Sequence, residues 1–227
     1  MTIYNRTAFE RGELLSKVYA PDNVAARMAR RYTGHIGKLN RWVDRVRDET
    51  DESIPYLDPD AASDGVRILM LFQDPSGAAE GESGFISKHN NDQTARNYYE
   101  ATTLAGVPYE ATLNWNVVPW WSTKNPRFPG RTVEKEAPRA APYLAHFIRL
   151  LGEPPCVLVL SGDKAQRSWD RIAWTVRDVL PDDMPILRCA HPGPLVYPRV
   201  NKRSGKKYKD EIVDTFREAA VIAGRCQ

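Results

Sequence analysis

Four short apolar runs, separated by stretches with helical periodicity, decide what this chain can fold into. The runs cover residues 66–72, 111–118, 156–160 and 185–189. Between and after them the spacing predicts helices over 93–104, 142–151, 163–179 and 210–223. Asp92 stands where the first would be capped and Gly106 where it would stop. Pro142 suits a first turn, and Leu144, Phe147, Ile148 and Leu151 then share one face. Apolar strands alternating with helices argue for an α/β fold with a parallel sheet covered on both faces. The expected architecture is a three-layer αβα sandwich around a central, mostly parallel four-stranded sheet.

Residues 1–64 precede this pattern. Residues 23–48 read as one helix, with Ile36, Leu39, Trp42, Val43 and Val46 as its packing stripe. Residues 49–64 hold Pro55 and Pro59 among acids and read as a linker or loop. The expected organisation is therefore an N-terminal helical arm and acidic linker over 1–64, packed on an α/β unit over 65–227. At 227 residues the chain can bury one large core. A formal charge of +3 is too small to argue for a polyanion partner by itself. Its distribution says more: Lys202, Arg203, Lys206, Lys207 and Lys209 surround Ser204-Gly205. That run is either a solvated loop or a loop that grips phosphates.

Three scattered cysteines, Cys156, Cys189 and Cys226, form no CxxC pair, which argues against a zinc or iron–sulfur site. Cys156 and Cys189 lie in apolar runs and read as core residues. No stretch has the length of a membrane span or the look of a signal peptide. A reducing cytoplasm is the expected compartment, with no membrane partner, cofactor or metal.

Two of the strand ends carry ionisable side chains in Pro/Gly turns. Phe72-Gln73-Asp74-Pro75-Ser76-Gly77 follows the first run, and Ala190-His191-Pro192-Gly193-Pro194-Leu195 follows the last. Ligands bind at such ends of α/β sheets, so Asp74 and His191 are candidates to share one cleft. Asp-Pro-Ser-Gly is also a good turn in which the aspartate caps its own backbone. Asn114 and Asn116 alternate and so face the same way. Buried carboxamides need partners, either loop backbone or the edge of a nucleobase. Phe85, in Gly84-Phe85-Ile86, is either core or an aromatic platform for a planar ligand.

Taken together, these segments resemble the uracil-DNA glycosylase superfamily over about residues 65–223. Gln73-Asp74-Pro75 looks like part of its Gly-Gln-Asp-Pro-Tyr motif, with Phe72 in place of Gly and Ser76 in place of Tyr. Asn116-Val117-Val118 is similar to its Asn-Val-Val strand end. Ser161-Gly162 resembles its strand–Gly–helix turn, and His191-Pro192-Gly193-Pro194-Leu195 its His-Pro-Ser-Pro-Leu motif. The resemblance implies a monofunctional, monomeric glycosylase that hydrolyses uracil out of DNA. Asp74 would direct the water and His191 would hydrogen-bond the leaving base. Gln73, Phe85 and Asn116 would hold that base by backbone contact, stacking and pairing. Ser76, Gly193, Leu195, Lys202, Arg203, Lys206 and Lys207 would meet the DNA, Leu195 as a wedge. Ser76 lacks the ring that excludes thymine, which leaves room for other deaminated bases. A non-catalytic binder of damaged or single-stranded nucleic acid is the alternative. A nucleotide or sugar-phosphate enzyme is a third reading, without support from a GxGxxG or GxxxxGK[ST] loop.

Overall fold

The computed structural model describes residues 2–75, 79–123 and 125–226. Along the chain run helices α1 (Arg6–Glu10), α2 (Pro21–Ala29) and α3 (Gly37–Thr50), then strands β1 (Tyr56–Leu57), β2 (Ile68–Phe72) and β3 (Phe85–Ile86). Helix α4 (Gln93–Ala105), β4 (Thr112–Asn116), α5 (Val133–Leu150), β5 (Val157–Ser161), α6 (Asp163–Val176), β6 (Ile186–Cys189) and α7 (Tyr208–Arg225) complete it. The main sheet has four strands in the order β4-β2-β5-β6, and every pairing in it is parallel.

The side chains alternate, as strand geometry demands. Leu69, Leu71, Leu113, Trp115, Leu158 and Leu160 bury against α3, α5 and α6. Ile68, Met70, Val157 and Val159 bury against α4 and α7. The result is the expected three-layer α/β sandwich. Trp115 stacks on Phe147 at 4.6 Å and meets Trp42 at 6.0 Å, which draws α3 into the same core.

Several boundaries differ from expectation for identifiable reasons. The helix expected over 23–48 is two helices. Gly34 takes a positive φ of 60° between them, and a Cβ on Gly37 would lie 2.2 Å from the Tyr32 carbonyl oxygen. Helix α5 begins not at Pro142 but at Val133, behind Thr132, whose side chain accepts from Lys135 N as the cap, and it runs through both Pro138 and Pro142. Pro138 has no N–H to give the Glu134 carbonyl. Arg171 of α6 donates to that oxygen instead, at 3.1 Å.

The acidic stretch is no linker. Asp58 is fully buried and accepts from Arg27, from Ser87 Oγ at 2.5 Å and from Tyr109 Oη at 2.7 Å. Burial alone would raise its pKa. The bond from His89 and the charge of Arg27 hold it well below the usual carboxylate range. Glu52 is buried between Arg131 and Arg139, and β1 pairs with β3.

Cys156 is likewise not a simple core residue, because it is disulfide-bonded to Cys226. That bond ties the end of α7 to the start of β5. Disulfides persist where the surroundings are oxidising, so cysteine usage does not support a reducing compartment. Cys189 is free and buried, and burial pushes its thiol up to about 12. Among the described residues no helix is long and apolar enough to cross a membrane.

Candidate functional site

A cavity of about 560 Å³ opens at the carboxyl ends of the parallel strands. Its lining combines the turn after β2 (Phe72, Gln73, Asp74, Pro75), the end of β4 (Asn114, Asn116) and His191 after β6. Lys164 at the start of α6, Trp121, Thr123 and the segment leading into α4 close it. Parallel topology brings these ends to one place, so residues more than a hundred positions apart share a pocket.

Asp74 is buried and strongly oriented. Its Oδ2 accepts from Ser122 N at 3.1 Å, Ser122 Oγ at 2.8 Å and Thr123 N at 2.7 Å. Oδ1 has no hydrogen-bond partner among the described residues. The β2 and β4 ends are zipped past their last paired residues, by Val117 N to Phe72 O at 2.8 Å and Val118 N to Gln73 O at 3.0 Å. This fixes Asp74 relative to Asn116.

His191 is held by shape. A Cβ on Gly162 would lie 2.8 Å from the His191 Cβ, and one on Gly193 would lie 2.8 Å from its Nδ1. Asn97 Nδ2 bonds the Pro192 carbonyl at 2.7 Å and anchors the turn to α4. Burial pushes the imidazole down to about 4; the charge of Asp74 pulls the other way, and Lys164 adds to the fall. Near pH 7 the ring is therefore neutral, with one N–H to donate.

The two asparagines divide their tasks. Asn114 Oδ1 accepts from Tyr98 Oη at 2.7 Å, whereas Asn116 has no side-chain bond among the described residues. Both asparagines line the cavity.

The structure takes two expected residues away from their expected tasks. Phe85 is 0% exposed, packs with Leu15 and Val24, and does not line the cavity. Its place in β3, paired with Tyr56, turns it into the arm. The aromatic rings on the cavity wall are Phe72, Tyr98 and Trp121, with Phe72 edge-on to His191 at 6.1 Å. Gly193 is buried beneath His191, so its observed task is packing rather than contact with DNA. Ser76 lies outside the described residues.

Leu195 is 74% exposed on the His191 turn. Lys202, Arg203, Lys206 and Lys207 are exposed on a tight hairpin closed by Asn201 N to Lys206 O at 2.8 Å. Lys206 also sits 3.4 Å from Asp214.

Ser122, Thr123, Lys164, Asn97 and Asn90 were not among the expected site residues. Their only sequence signal is polarity in loops or on a helix flank. Among the described residues no cluster of His, Cys, Asp and Glu suits a metal ion. Comparison with known proteins finds no matching family model and no similar curated protein.

Proposed function

We propose that this chain is a monofunctional DNA glycosylase that hydrolyses uracil and other deaminated bases from DNA. The observation that carries the reading is the convergence of a buried, oriented Asp74 and a neutral His191 on one cavity beside an uncommitted Asn116.

Breaking the C1′–N bond leaves positive charge on the sugar and negative charge on the base. Asp74 Oδ1 would hold the attacking water against C1′ and offset the sugar's charge, as carboxylates do in sugar hydrolysis. The neutral His191 would donate to the base oxygen on which charge develops. Such a preorganised donor is worth roughly 3 kcal/mol. The base must first leave the stack. Exposed Leu195 is suited to fill the gap, and the adjoining basic hairpin to grip the phosphates. Lys164 places one more cation at the cavity.

Release of free uracil from a uracil-containing duplex, measured by chromatography, tests the reading. The expected result is stoichiometric release with abasic DNA left behind. Tight binding of that duplex with no release would favour the non-catalytic binder.

A further inference from the structure

The cavity holds opposite charges that do not meet. Asp74 and Lys164 both line it, and Lys164 is the only cation among the described lining residues. Lys164 is half-buried and makes no hydrogen bond or ion pair among the described residues. A lysine and a carboxylate in one cavity gain by pairing, the more so where water is scarce. These two are kept from it by their mountings. Ser122 N, Ser122 Oγ and Thr123 N fasten Asp74 through its Oδ2. Lys164 stands in the first turn of α6, which is fastened to the strand end that carries His191. Gly162 N donates to the Cys189 carbonyl at 2.9 Å, and Gln166 Nε2 to the same oxygen at 2.7 Å.

Both charges are felt at the imidazole. Burial dominates the surroundings of His191; beyond that, Asp74 favours the charged ring and Lys164 disfavours it. Asp92, the other carboxylate on the cavity wall, is engaged as the cap of α4, where its Oδ1 accepts from Thr94 N and Ala95 N. Lys164 is therefore the charged lining group that the catalytic scheme leaves without a task.

Opposite charges held apart suit a reaction that itself separates charge. Hydrolysis of the C1′–N bond sends the bonding electron pair to the base and leaves the sugar positive. Water then gives its oxygen to C1′ and its proton to Asp74. A neutral His191 can donate a hydrogen bond to the base, but it brings no net charge to oppose the anion. We propose that Lys164 is a further catalytic residue, whose ammonium offsets the negative charge of the leaving base while Asp74 offsets the positive charge of the sugar. The lysine transfers no proton and forms no bond; it acts as a fixed charge, present before the reaction begins. The inference rests on the glycosylase reading and adds one residue to it. A lysine that only supported the fold would be indifferent to which base departs. A lysine that gripped phosphate would act on every duplex alike.

The leaving base supplies the test. Single-turnover release is measured at saturating protein from duplexes carrying uracil or 5-fluorouracil at one position, with wild type, Lys164→Met and Lys164→Arg. Fluorine makes the ring nitrogen more acidic, so that base departs with less help. Lys164→Met should slow release of uracil about tenfold or more, and release of 5-fluorouracil several-fold less. Lys164→Arg keeps the charge and should keep most of the rate on both. Affinity for an undamaged duplex, measured alongside, should change little. Lys164→Gln replaces the methionine variant if melting shows that it does not fold. Equal slowing of the two bases, no slowing, an arginine variant as slow as the methionine one, or a loss confined to duplex affinity would overturn the inference. The last of these would show a lysine that holds phosphate. All four leave the glycosylase reading standing, because wild type still releases base. Wild type that releases neither base removes that reading, and the inference with it.

Discussion

His191 is where side-chain physics and the proposed chemistry meet. Two glycines give the ring its room, and the enclosure they create keeps it uncharged. That state has a consequence for stability. The unfolded histidine titrates near 6.5 and the folded one near 4. As pH falls through that window the unfolded chain takes up a proton that the folded chain refuses, so stability falls with it. The full effect is roughly 3 kcal/mol, from about 1.4 kcal/mol per pH unit. Urea melts between neutral pH and about pH 4 should show a steeper loss for wild type than for His191→Gln. Parallel curves would mean that the ring titrates normally. Asp74 and His191 were legible in the sequence because each follows an apolar strand in a Pro/Gly turn. Ser122 and Thr123 were not, since they reach Asp74 across 48 and 49 residues and only the fold brings them there. Phe85 misled for a related reason: a loop aromatic reads the same whether it faces a ligand or a neighbouring core.

At the scale of elements, the arm does more than cover the sheet. Helix α1 is capped by Asn5, whose side chain also bonds the turn at Lys88 and Asn90. Arg27 of α2 supports Asp58, which in turn holds Ser87. The wall of the cavity is thus built from outside the α/β unit. Asn5→Ala should cost about 1–3 kcal/mol, because it orphans two buried or half-buried carbonyls. Amide hydrogen exchange should quicken over residues 85–92 and stay unchanged in the main sheet; uniform quickening would show that the arm stabilises only globally. Local signals served some elements well. Asp92 and Gly106 bound α4 as their types require, Asp92 through its side chain and Gly106 through a positive φ. They failed for α5, where two prolines punctuate a helix that a distant arginine keeps satisfied. They failed again for 49–64, where the acids look solvated until Arg27, Arg131 and Arg139 arrive.

Across the whole molecule, alternation of strand and helix was enough to anticipate a parallel sheet with two covered faces. It was not enough to pair the cysteines, whose partners are set by where α7 ends. The Cys156–Cys226 bond closes a loop of 70 residues. In the chain-entropy view it contributes about 4 kcal/mol by restricting the unfolded state. Reductant should therefore lower the Tm of wild type and leave that of Cys226→Ser unmoved. A reductant effect of equal size in both would exclude the bond as its source. The central claim concerns what the cavity does when parallel topology has assembled it. Single-turnover incubation of a uracil-containing duplex with wild type and with Asp74→Asn tests that claim most directly. Wild type should convert the uracil position to an abasic site. Asp74→Asn should do so about a hundredfold more slowly while binding the duplex equally well. No abasic sites with wild type, or equal rates in the two proteins, would contradict the account.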